Sequence, residues 1–146
     1  MKLQYKRSED TIYAYDDNYN FLGSWPCHHD FFPGTGSNGL PHETLPDGYY
    51  PHCWADLPNT TLNDGRKVVI QEENPRSYGT FYINTGDDRS RDIHGGGDGC
   101  GITDPFAKRQ GWLGTYGCLR MQNEDGEKIA SMMIDAGNDI GLVVEN

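Results

Sequence analysis

The chain has 146 residues, a formal net charge of −10, 35% hydrophobic residues, 19 glycines and 9 tyrosines. A domain of this order buries roughly 68 to 70% of its unfolded surface, so residues 1–146 read as one domain that folds without a metal or disulfide staple. The acidic balance argues against nucleic acid and anionic lipid as partners, because both demand clustered Lys and Arg.

MKLQYKRSED at the start lacks the apolar run of about 7 to 15 residues that marks a secretory leader, and no apolar stretch of about 18 residues follows. The expectation is a soluble chain with no membrane insertion. Life in the cytoplasm, export by a route that reads no cleavable leader, and removal of a leader all stay open.

In chain order, TIYAYDDNYNFLGSWP predicts strand, tight turn and strand, with aromatic and β-branched residues flanking the turn formers Asp16, Asp17 and Asn18. A hairpin is thus expected to open the fold. From His28 to Leu45 the composition turns to Gly, Pro, Asn and His, a surface loop long enough to border something functional. LPDGYY supplies a Pro46–Asp47–Gly48 turn before an extended segment. KVVIQE and GTFYIN are the next predicted strands, and Gly95 to Gly101 is read as irregular. NEDGEKIASMMIDAG predicts a helix: Ile129, Met132, Met133 and Ala136 recur at helical spacing, acidic residues open it and Gly137 closes it. DIGLVVEN makes a final strand. The predicted fold is mainly β, a mixed sheet with one short helix after a cysteine-bearing segment.

That segment is GTYGCLRMQ, residues 114–122, with DIHGGG upstream at 92–97. A thiolate is the reactive form of cysteine, and an imidazole brought near by the fold can take its proton. Gly114 and Gly117 permit tight turning before Cys118, so the N–H groups of Gly117 and Cys118 could converge on a developing oxyanion. A buried, inert thiol is the competing reading, since free cysteine is among the most buried residue types.

IHGGG followed by TYGCLRM resembles the His-Gly and Ser/Thr-x-Gly-Cys-x-Arg signature of the L,D-transpeptidase catalytic domain, the YkuD-like family. TIYAYDDNYNFLGSWPC is similar to that family's opening hairpin, LPDGYY to its turn, and the helix and last strand fall in the family's places. The resemblance implies a YkuD-like mixed β-sheet sandwich. It also implies Cys118 as nucleophile, His94 as general base and the Gly95 carbonyl as acceptor of the ring N–H, with Gly117 and Cys118 amides on the oxyanion. Thr115 stands at the Ser/Thr position and would brace the loop; Arg120 would hold a substrate carboxylate or lock the turn. Tyr116 stands where a second histidine is frequent, Leu45 where a Thr is usual, and GDGCGITDPFAKRQGW lengthens the gap between histidine and cysteine. Trp112 is expected near the substrate.

The implied activity is cysteine acyl transfer on peptidoglycan stem peptides in the bacterial cell envelope, with no cofactor. D-Ala is lost to a thioester on Cys118, which an amine resolves as a transpeptidase or water as an L,D-carboxypeptidase. A carbapenem would label the same sulfur. Absence of a leader resembles effector toxins and phage-carried relatives, and an effector would have an immunity protein as partner. The alternative is a non-catalytic module that binds wall or partner on the same scaffold.

Cys27, His28, His29, His52 and Cys53 are legitimate zinc ligands, but their spacing fits no standard pattern and neighbours in a strand point to opposite faces. Loop histidines or a Cys27–Cys53 disulfide account for them, and no metal is expected. Cys100 reads as a loop thiol or a redox partner.

Overall fold

The computed structural model describes residues 1–57, 75–97 and 104–146. The expected strand KVVIQE, the glycines from 99 onward in the 95–101 segment, and Cys100 lie outside the described residues. Elements follow in the order β1 (Lys2–Lys6), β2 (Thr11–Tyr15), β3 (Phe21–His28), β4 (Gly48–Asp56), α1 (Pro75–Tyr78), β5 (Tyr82–Asn84), β6 (Ile93–His94), β7 (Leu119–Met121), α2 (Asn123–Asp135) and β8 (Ile140–Glu145).

The predicted hairpin is β2–β3. Asp16 closes its turn by accepting from the Asn18 and Asn20 amides at 2.8 and 2.9 Å, an Asx-type bond that a short acidic side chain makes to backbone just ahead of it. It does not open the fold, however. KLQYK precedes it as β1, with Leu3 and Tyr5 buried between Lys2, Gln4 and Lys6, the alternation of a strand with one face inward.

Each strand pairs with two others, so the ladder closes into an eight-stranded barrel in the order β1-β2-β3-β7-β6-β5-β4-β8. Two of the pairings are parallel, β1 with β8 and β6 with β7. β3 and β4 each serve two neighbours: β3 pairs β2 along Phe21–Pro26 and β7 at Cys27 and His28, while β4 pairs β8 first and β5 from Trp54 onward. Inside lie Leu3, Tyr5, Ile12, Ala14, Ile83, Ile93, Leu119, Met121, Leu142 and Val144, all removed from water, and this apolar burial is the main favourable term in folding.

α2 covers β4 and β5. Its buried face is Gly126, Ile129, Ala130 and Met133, rotated from the expected Ile129, Met132, Met133 and Ala136; Ala136 is the exposed C-cap. The small residues decide this. A Cβ on Gly126 would stand 2.1 Å from the Phe81 ring, so the helix approaches the barrel closely at its glycine while Ile129 and Met133 fill the core beside it. Gly137, at φ +100, ends the helix as expected.

Candidate active site

The parallel β6–β7 pair is the frame of the site. Ile93 faces Leu119 and His94 faces Arg120 across it. Since side chains alternate along a strand, Ile93 and Leu119 point into the core, and His94 and Arg120 share the other face. Cys118 and Asp92, one step before each pair, fall on that same face. Their backbones meet there: Leu119 N–H donates to Asp92 O at 2.8 Å, and Asp92 N–H donates to Cys118 Sγ at 3.3 Å. Imidazole and thiol thus stand on one side of two adjacent strands, two positions apart along them with the Ile93–Leu119 pair between.

His94 is held from three sides. Its Nδ1 lies 2.7 Å from Gly95 O, and because a carbonyl only accepts, Nδ1 carries the proton and Nε2 keeps its lone pair. Tyr82 faces it across β5–β6 with rings within 4° of parallel. Tyr78 meets it edge-on at 5.1 Å. Burial lowers the imidazole pKa to about 4, the Arg120 charge adds to that, and the Gly95 bond opposes it. The ring is neutral at ordinary pH.

Backbone packing beneath the ring explains the glycine run. Gly95 N–H donates to Tyr78 O and Gly97 N–H to Ser77 O, both at 3.1 Å. A Cβ on Gly96, at φ +71, would come within 2.4 Å of Gly79 N. The strand end and α1 touch main chain to main chain, which only glycine allows.

Cys118 is half-buried. Its thiol donates to Ser90 O at 3.7 Å rather than to the imidazole. Desolvation pushes the thiol up to about 12; the Asp92 N–H and the Arg120 charge pull the other way, and the Asp92 carboxylate adds to the rise. The resting pair is therefore neutral thiol and neutral imidazole, not the thiolate–imidazolium pair that the motif suggests. A thiol in that state becomes nucleophilic only when its proton is removed.

The loop before the sulfur is built around Thr115, which is buried. Its Oγ1 donates to Cys118 O at 2.6 Å and accepts the Gly117 N–H at 3.0 Å. This is the bracing role expected of Thr115, and burial takes it out of substrate contact. It also corrects the placement of Gly117: that amide is spent on Thr115, so the backbone donor left for an oxyanion is the Cys118 N–H. Gly117 instead supplies conformation. It sits at φ +135, and a Cβ there would lie 2.4 Å from Glu43 O.

Of the two readings of Arg120, substrate contact and locking of the turn, its bonds are those of the second. Arg120 is 3% exposed, and its Nε and Nη1 donate at 2.9 Å to Leu113 O and Gly96 O. The guanidinium ties the segment before the cysteine to the segment after the histidine. Gln110 strengthens that tie: its side-chain Nε2 donates to Gly96 O at 3.1 Å and its Oε1 accepts the Gly96 N–H at 3.2 Å. Trp112 stacks on His28 at 3.8 Å, and His28 faces Arg120 across β3–β7, which puts the indole at the rim of the same sheet face. Tyr116 is 62% exposed and leans on Phe32 and His42. It lines a groove of about 420 Å³ with Thr35, Ser37, Asn38, His42, Arg89 and Arg91, so residues of the long loop and of the segment around Ser90 share one groove. A larger groove, about 820 Å³, lies over β1, β4 and β8 and includes none of these residues.

Several site residues had no motif to announce them. Asp92 is buried and accepts from Tyr82 OH, from Thr85 N at 2.8 Å and from Thr85 Oγ1 at 3.2 Å. The only available signal is the alternation in DIH, which puts Asp92 on the imidazole's face. Asp87 accepts from Arg91 Nε at 2.8 Å and from the amides of Arg89 and Arg91 at 3.1 Å. These bonds hold it below the usual carboxylate range against the upward push of burial, and they fix the turn in which Ser90, at φ +55, presents its carbonyl to the sulfur.

The residues weighed as zinc ligands have separate partners. His28 stacks on Trp112, His29 Nδ1 lies 3.1 Å from Tyr5 OH and His52 Nδ1 lies 2.9 Å from Asp139 Oδ1. Cys27 and Cys53 are free, buried thiols, which corrects the disulfide alternative. Among family models and curated proteins, none matches this chain.

Proposed function

We propose that the chain is a cysteine acyl-transferase of the L,D-transpeptidase type acting on peptidoglycan stem peptides in the cell envelope. The observation that carries this reading is the His94 Nδ1–Gly95 O bond, on a ring that shares one face of the β6–β7 pair with the Cys118 sulfur. It leaves the Nε2 lone pair free on the face that carries the half-buried thiol. The YkuD-like sandwich belongs to the same reading. Supporting it, the barrel divides into two sheets that share β3 and β4.

In the proposed reaction Cys118 Sγ attacks the carbonyl that joins the L-centre of the third-position diamino acid to D-Ala. The thiol proton passes to His94 Nε2, the Cys118 N–H steadies the oxyanion, and the C–S bond forms. The C–N bond then breaks as the imidazolium returns the proton to the departing amine, which leaves as D-Ala. An amine or water attacks the thioester and regenerates the thiol. Neutral resting partners fit this order, since charge develops only as the carbonyl is attacked.

The test is incubation of purified protein with a defined muropeptide tetrapeptide, with products identified by mass. Loss of D-Ala in the wild type, and none in Cys118→Ala, supports the reading; a tetrapeptide left intact by the wild type contradicts it. A second reading, a scaffold that binds wall peptides without chemistry, draws on the thiol's bond to Ser90 O. It predicts muropeptide pull-down that Cys118→Ala leaves unchanged, with no D-Ala released by either protein.

A further inference from the structure

The segment that holds the sulfur also carries two arginines toward the neighbouring groove. Arg89 and Arg91 flank Ser90, whose carbonyl accepts from Cys118 Sγ, and both line the 420 Å³ groove with Ser37, Asn38, His42 and Tyr116. Their commitments differ. Arg91 gives Nε and Nη2 to Asp87 at 2.8 and 3.1 Å and Nη1 to Thr44 O at 3.4 Å. Arg89 is anchored through Nη2 to Pro41 O at 2.8 Å, while its Nη1 stands 3.6 Å from Glu43 Oε2. That separation is an ion pair without a hydrogen bond, and the Glu43 side chain is 61% exposed. Such a surface pair is weak and screened, so the carboxylate is readily exchanged.

Resting on the acyl-transfer reading above, we propose that Arg89 receives the free C-terminal carboxylate of the amino acid expelled from the stem peptide, and that Glu43 occupies its place until substrate arrives. Reach supports this. In a tetrapeptide the terminal carboxylate lies one residue beyond the scissile carbonyl, about 3.3 to 3.6 Å of extended chain. Arg89 is the residue next to the one whose carbonyl touches the sulfur. Chemistry supports it too: a guanidinium fork matches a carboxylate with parallel N–H bonds, better than it matches a carboxamide. On a chain of net charge −10, a weakly paired cation in the groove that Ser90's flanking residues line is a local attraction for an anionic substrate end. Tyr116, Ser37 and Asn38 line the remainder of the groove with hydroxyl and amide groups. The carboxylate does not react; it sets which bond stands over the sulfur, favouring release of a single terminal residue.

The test compares two synthetic tetrapeptides, one ending in D-Ala with a free carboxylate and one ending in the D-Ala carboxamide. The rate of adduct formation on the intact protein is followed by mass. The wild type is expected to acylate from the free acid about tenfold faster, the discrimination one lost charge-assisted pair imposes. Arg89→Gln should bring the acid-to-amide ratio to about one, Arg89→Lys should restore part of it, and Glu43→Gln should raise it. Equal, nonzero rates for the two peptides in the wild type would overturn the carboxylate subsite while leaving the acyl transfer standing. A lower ratio in Glu43→Gln would overturn the stand-in role. No adduct from either peptide would overturn the acyl-transfer reading and the subsite with it.

Discussion

His94 Nδ1 binds Gly95 O at 2.7 Å, a bond between sequence neighbours that fixes the tautomer and depends on the glycine run beneath. The ring stays neutral because burial lowers its pKa from 6.5 to about 4. An unfolded chain takes up a proton near 6.5 and the folded one does not, so this group's contribution is present above pH 6.5 and is lost as pH falls through about 4. The difference amounts to about 3 kcal/mol at 1.36 kcal/mol per unit. Urea unfolding should show stability dropping by that order between pH 7 and pH 4, with a shallower drop in His94→Gln. Equal slopes for the two proteins would contradict the buried neutral ring.

The Cys118 thiol, pushed up to about 12 from 9.0, should react slowly with iodoacetamide at pH 7. A rise of about three units cuts the thiolate fraction about a thousandfold. Labelling should accelerate steadily with alkaline pH, while Cys27 and Cys53, fully buried, stay unmodified in the folded protein. Rapid labelling of Cys118 at pH 6 would mean a preformed ion pair instead.

Gly117 carries a backbone demand that no other residue meets, with φ +135 and Glu43 O in the space of a Cβ. Gly117→Ala should cost about 1 to 3 kcal/mol in stability. It should also lower acylation more than binding, because the Cys118 amide turns with it. Thermal denaturation and a kcat against KM split separate the two effects.

Arg120→Leu should leave the partly buried Leu113 O without its donor, at about 1 to 3 kcal/mol, and leave Gly96 O with the Gln110 Nε2 bond alone. A bracing residue predicts lowered Tm and lowered kcat for acid and amide peptides alike. A rise in KM for the free acid alone would return Arg120 to substrate contact.

Local pattern made much of this protein legible. The β2–β3 hairpin, the final strand and the α2 boundaries were readable within a few residues of chain, whereas the bond from His94 to Gly95 was implied only by the family resemblance. β1 escaped because KLQYK has only two apolar positions among three polar ones, and its other partner, β8, begins more than 130 residues away. Ring closure rests on such distant pairings, which no local period encodes. On α2, Ile129 and Met133 are buried as expected, whereas the face is rotated away from Ala136 toward Gly126, which a sequence reading that weighs apolar bulk passes over because it gains its position by lacking a side chain. Arg120 and the Gly117 amide carried the right residue types for a site, but their donors were claimed by Leu113, Gly96 and Thr115, partners set by tertiary approach.

The most direct test is intact-protein mass after mixing with a defined tetrapeptide, followed by peptide mapping. The account predicts a thioester adduct of the tripeptide on Cys118 with one equivalent of free D-Ala released, absent in Cys118→Ala and strongly slowed in His94→Gln. An adduct that survives Cys118→Ala, or D-Ala release at the wild-type rate in either variant, would contradict it.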